Sequence, residues 1–139
     1  MTRKNGKSIV ISDTSIKKSN EISMAKLNKG LTLNQMQLLS YAIFSTQKNG
    51  ATVFHKADFE KQFNIDEYRT NHAKIDSEKL LELKVSTVDL ANDCFEFLNV
   101  FTRMTYRKGT FVFEWNTSFL PHILDLKERY IINDLTVTA

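Results

Sequence analysis

A chain of 139 residues that is 42% apolar, with ten phenylalanines, four glycines and one proline, can bury one hydrophobic core and lies far from disordered composition. Its single cysteine, Cys94, excludes an internal disulfide. The lack of any apolar run near ~18 residues excludes a membrane span, and with no secretory pattern in view a reducing cytoplasm is the expected location. The net charge of +3 is unevenly placed. Residues 1–30 hold seven Lys/Arg against two acids, whereas the remaining 109 residues hold twelve against fourteen. The positive excess therefore belongs to the first segment, and the body is mildly acidic.

Residues 1–18 read as a basic N-terminal arm, in which "SIVIS" has the alternation of a short edge strand, and residues 19–139 read as one folded domain. The arm has the charge to grip phosphates, and equally the composition of a solvated leader. In "SNEISMAKLNKG", Ser19 or Asn20 is the expected N-cap; Ile22, Met24 and Leu27 are the apolar positions, and Gly30 is a natural stop. "TLNQMQLLSYAIFSTQKNG" predicts a nearly buried helix capped by Thr32 and ended by Asn49-Gly50, with Met36, Leu39 and Ile43 at helical spacing. "ATVF" is a short strand. "HKADFEKQFNI" is a short helix with Phe59 and Phe63 inward. Asp66 is the expected cap of a longer helix over "EYRTNHAKIDSEKLLELK". Short helix, turn and longer helix give a helix–turn–helix cadence.

From Val85 the period changes to two. "VSTVDL" and "FEFLNVFTRMTYRKGTFVFEWN" predict three strands, the last two joined at Arg107-Lys108-Gly109. Alternation fails between Phe95 and Phe101, which predicts a bulge or burial on both faces. Phe111, Phe113 and Trp115 share the core face of the last strand. In "NTSFLPHILDLKER", Asn116–Ser118 should cap a closing helix with Pro121 in its first turn, where a missing N–H costs little. Its buried stripe is Phe119, Ile123, Leu124 and Leu126. The order is that of an α+β winged helix: a helix–turn–helix, a β-hairpin wing and a closing helix.

No catalytic constellation stands out. His55, His72 and His122 lack metal-ligand spacing, no second cysteine exists, and there is no phosphate-binding glycine loop, so neither a metal nor a cofactor is expected. Asp125 and Glu128 share a helix face, as carboxylates of a solvated surface do. An enzyme is not expected. Two basic groups have a geometry suited to DNA. Arg69, Lys74 and Lys79, with Asn71 between them, lie on the second helix of the helix–turn–helix, where long cations and amides read bases and phosphates. Against this, Glu67, Asp76, Glu78 and Glu82 share that helix. Arg103, Arg107 and Lys108 are expected to crowd the wing tip, suited to backbone contact.

Three stretches carry a family resemblance: "KSNEISMAKLNKGLTLNQMQLLSYAI", "STVDL…FEFLNVFTRMTYRKGTFVFEWN" and "FLPHILDLKERY". They resemble the N-terminal winged-helix domain of RepB/Rep_3-family plasmid replication initiators across nearly the whole chain. The resemblance implies the first of two tandem winged-helix domains, with the second beyond "DLTVTA". It implies double-stranded origin DNA carrying direct repeats (iterons) as ligand, with no membrane, and adds host replication proteins as possible partners. It also implies backbone contact by Arg103, Arg107 and Lys108, and a homodimer built through the sheet, with Phe95, Phe97 and Phe101 as the dimer face. The alternative is a winged-helix domain that binds proteins and no DNA, which the mildly acidic body suits.

Overall fold

The computed structural model describes residues 23–131. The strand expected at "SIVIS" and the caps expected at Ser19 or Asn20 lie outside them. Helix α1 (Met24–Asn28) is capped instead by Ser23, whose hydroxyl accepts from the Lys26 N–H. Gly30 follows its C-cap at φ 83°, as a helix stop requires. Helix α2 (Leu33–Ser45) opens as expected: Thr32 and Gln35 form a reciprocal capping box, satisfying two of the helix's orphan N–H groups. It ends at Ser45, four residues short of the expected Asn49-Gly50. Thr46 takes an extended conformation and bridges to Thr52, with its hydroxyl donated to Ala42 O at 2.7 Å.

Strand β1 (Thr52–His55) leads directly into helix α3 (Lys56–Gln62), and helix α4 spans Thr70–Leu81. Helix α4 begins later than the sequence suggests, and Asp66 does not cap it; the N-cap is Arg69, without a side-chain bond. Tyr68 is the reason. Its N–H is taken by the Glu60 carboxylate and its ring is buried against Phe59 and Phe111, so the preceding loop cannot coil.

Among the described residues four strands rather than three follow α4. β2 (Lys84–Asp89) and β3 (Cys94–Asn99) form a separate antiparallel hairpin around a single 3-10 turn (Leu90–Asn92), with Val88 opposite Phe95. The break in alternation falls at Val100, which is fully buried. Its N–H donates to Leu83 O and its carbonyl accepts from Asn116 N–H. The chain then enters β4 (Phe101–Arg107), with a register irregularity between Phe101 and Arg103, just beyond the stretch in which the sequence places one, and turns into β5 (Thr110–Trp115). The second sheet has the order β1-β5-β4, all antiparallel.

The core lies between this sheet and the helices. Phe54, Phe101, Phe111, Phe113 and Trp115 face inward onto Leu38, Leu39, Ile43, Phe59 and Leu80. Each such fully buried side chain contributes roughly 1.5–3 kcal/mol. The Trp115 indole N–H lies 2.9 Å from the Thr46 hydroxyl and 2.8 Å from that of Thr52, so this donor deep in the aromatic layer is satisfied. Helix α5 (Leu120–Leu126) closes the core with Phe119, Ile123 and Leu126 buried, and Leu124 only half-buried. Pro121 sits in its first turn as expected. The N-cap is Phe119, while Asn116 makes a separate turn with its side chain on Ser118 N–H. Helix, strand, helix, helix and two-stranded wing follow winged-helix order, with the β2–β3 hairpin inserted before the wing.

Candidate nucleic-acid interface

Helix α4 is held in place from inside by a charge. Asp76 is buried on its inner face, accepting from the Tyr68 hydroxyl at 2.5 Å and from Gln35 Nε2 at 3.1 Å. Burial, reinforced by the Asp76 carboxylate, raises the Tyr68 phenol far above its ordinary value, so it remains a donor at all physiological pH. Gln35 therefore serves twice: it closes the capping box of α2 and docks α4. With Ala73 and Leu80 also inward, the solvent face of α4 carries Asn71, Lys74, Ile75, Glu78 and Lys79.

That face is electrically mixed. Lys74 Nζ lies 3.6 Å from Glu78, and Arg69 Nε lies 3.7 Å from Glu67. Such exposed pairs contribute little to stability, but they reduce the positive potential offered to phosphate. Lys79 sits about 15 Å from Arg69 along the helix, between Glu78 and Glu82, and does not join the basic residues at the other end.

The wing tip is a two-residue turn, Lys108 at φ 48° and Gly109 at φ 88°, the paired positive angles of a type I′ hairpin. It does not protrude beyond the sheet, because β1 is paired as far as His55 opposite Thr110. Lys56 N–H donates to Gly109 O at 2.7 Å, and a Cβ at Gly109 would stand 3.2 Å from His55 Cε1. Lys56 also reaches the other way: its ammonium donates to Tyr68 O at 3.1 Å, next to Arg69. The wing turn, the start of α3 and the start of α4 thus meet around Lys56.

This junction brings together Arg69, Asn71, Arg107 and Lys108, with His55 and Lys56 added. Among the described residues Arg107 and Lys108 make no ion pair. Arg103 does not belong to the tip as the sequence suggested. It lies four residues down β4, about 13 Å away, and pairs with Glu114 at 3.6 Å on the outer sheet face. His55 and Lys56 were missed, although one signal was legible: a lysine as first residue of a helix opposes the macrodipole and calls for another role.

The expected dimer face divides in the same way. Phe95 and Phe97 are 65% and 58% exposed on one face of the β2–β3 hairpin, their rings 5.4 Å apart. Val88 and Leu90 add to this apolar surface at 56% and 76% exposure. Phe101 is not part of it. The turn in the chain at Val100 carries Phe101 into the core at 1% exposure, stacked on Trp115 at 4.2 Å. No helix among the described residues is long and apolar enough to cross a membrane.

No curated protein and no solved structure gives a significant match to the chain. The family profile described as "Initiator Replication protein, WH1" matches residues 15–139, which spans every element above, from the first helix through the inserted hairpin to the closing helix. The chain therefore belongs to the initiator replication protein family, as its WH1 winged-helix domain.

Proposed function

We propose that this domain is a non-enzymatic part of a cytoplasmic plasmid replication initiator, which lays its Lys56-centred corner on the backbone of double-stranded origin DNA carrying direct repeats. The observation behind this reading is the convergence of Arg69, Arg107 and Lys108 around Lys56, tied by the bonds from Lys56 to Gly109 O and Tyr68 O. Cations fixed on one rigid corner match phosphates without reading sequence. The mixed charge of α4 favours affinity over base discrimination, with Asn71 the one amide placed to touch a base edge. Phe95 and Phe97 on the hairpin support homodimerisation through that face, and host replication proteins are further candidate partners.

Arg107→Glu with Lys108→Glu in the intact initiator should weaken binding to an origin duplex. The log–log salt dependence should fall by about one unit for each phosphate that is no longer neutralised. Unchanged affinity and slope would refute the corner as a DNA-binding surface. A second reading, an interaction domain that touches no DNA, is favoured by the pairing of Lys74, Arg69 and Arg103 with acids. It would be preferred if the double variant bound DNA normally while Phe97→Glu abolished self-association.

A further inference from the structure

We propose that the groove between helix α4 and the outer edge of β4 takes an extended acidic peptide of a partner protein. The peptide joins the sheet as a fourth strand, antiparallel to β4, with the pattern acid–apolar–any–apolar–acid. Strand β4 ends the order β1-β5-β4, so one side of its backbone is unpaired among the described residues. The two-residue turn at Lys108-Gly109 makes Arg107 and Thr110 a hydrogen-bonded pair, and alternation then turns the backbone groups of Arg107 and Thr105 toward β5. Those of Met104 and Tyr106 therefore face outward, as the row of donors and acceptors that strand addition uses.

The groove is shaped for side chains. Ala73, Ser77 and Leu81 lie at helical spacing on one stripe of α4 and face Met104 and Tyr106 across a hollow of about 340 Å³. The small side chains of Ala73 and Ser77 create the space, and Leu81, 41% exposed, gives it an apolar wall. From Thr70 to Leu81 the stripe runs roughly 16 Å, the length of about five extended residues. Charge selects the occupant. Strand β4 holds Arg103 and Arg107 and no acid. Both arginines project from the outer sheet face, opposite to Met104 and Tyr106, which pack against the core. An added strand sets two residues beside Met104 and Tyr106, pointing into the groove, where apolar side chains fit. Its flanking residues stand beside Arg103 and Arg107, where carboxylates are favoured. Arg107 has no ion pair among the described residues, and the 3.6 Å contact of Arg103 with Glu114 is exposed, so both guanidiniums can take an added acid. Glu78, the acid on the helix side of the groove, is engaged by Lys74. The assignment does not rest on DNA contact. It shares Arg107 with the Lys56-centred corner, so a docked peptide and a phosphate at Arg107 exclude one another.

The test is an anisotropy titration of a fluorescein-labelled peptide with the core Asp-Val-Thr-Val-Asp against the full chain, without DNA. Saturable binding is expected, and its loss when both aspartates are exchanged for lysine. Antiparallel pairing sets the last core residue beside position 103. Arg103→Glu should therefore weaken binding of this peptide and favour one whose core ends in lysine. N-methylation of either valine removes a donor to β4 and should lower affinity roughly 2- to 12-fold, whereas N-methylation of the threonine, whose N–H points away, should not. Absence of saturable binding would overturn the proposal. So would indifference to the charge exchange, or an effect at the threonine as large as at the valines. With no DNA present, these outcomes leave the corner reading untouched, and the salt-slope test of the corner does not bear on them.

Discussion

Truncating two aromatic residues four positions apart should have very unequal consequences, although the sequence treats them alike. Phe101 is 1% exposed, stacked on Trp115 at 4.2 Å and edge-on to Phe113 at 5.6 Å. Phe101→Ala removes a full ring from a packed layer, a change that costs about 3–5 kcal/mol. Its stacking on Trp115 and its edge-on packing against Phe113 account for about 0.5–1.5 kcal/mol each within that total. Phe97 already exposes 58% of its surface, so Phe97→Ala should cost about 1 kcal/mol or less. At a urea dependence of about 2 kcal/mol per molar, the unfolding midpoint should fall by about 1.5–2.5 M for Phe101→Ala and by about 0.5 M or less for Phe97→Ala. Far-UV circular dichroism at low protein concentration is the appropriate signal, because Phe101→Ala alters the surroundings of Trp115 directly. Equal shifts, or a larger loss at Phe97, would refute the division of the strands at Val100 on which the site assignment depends.

Asp76→Ala should destabilise by about 2–6 kcal/mol, since it leaves the Tyr68 hydroxyl and the Gln35 amide without their buried acceptor, each costing about 1–3 kcal/mol; a thermal or urea measurement giving a loss below about 1 kcal/mol would remove the carboxylate from its positioning role. Burial lowers the His122 imidazole below its ordinary value, outweighing the opposite pull of Asp125. The unfolded chain binds a proton near pH ~6.5 while the folded one stays neutral, so this contribution is present above about pH 6.5 and is lost as pH falls towards the folded value. Urea midpoints at about pH 7.5 and about pH 5.5 should therefore converge more in His122→Gln than in the parent, and identical differences would contradict the assignment.

Much of the architecture was legible because periodic burial dominates it. The stripe of α2, the inward Phe111-Phe113-Trp115 run, the wing turn and Pro121 at the start of α5 all follow from spacing and turn chemistry. The misreadings share a cause: a hydrogen bond reaching across the fold. Helix α4 starts at Thr70 because Glu60 holds the Tyr68 N–H from another helix, not because of any weakness in the local sequence. The single long strand became two because Val100 bonds to Leu83 and Asn116. The basic corner was only half visible for the same reason. Arg107 and Lys108 are adjacent in sequence, but Lys56 joins them through a backbone bond to Gly109 that no local pattern announces. The family resemblance groups Phe101 with Phe95 and Phe97, and a turn between two sheets overrides that grouping.

The anchoring at Val100 also has a mechanical consequence. The hairpin is joined to the body at its base, where Val100 bonds to Leu83 beyond the end of α4, and to Asn116 ahead of α5. Asn116 grips the same junction a second time, donating its side-chain amide to Asn99 O at 2.8 Å. The hairpin is thus a lever whose fulcrum is a single buried residue between two helix termini. A load placed on Phe95 or Phe97 acts about 10–20 Å from that fulcrum and is delivered to the C-terminal end of the helix that carries Asn71 and Lys74, and to the turn that launches the closing helix.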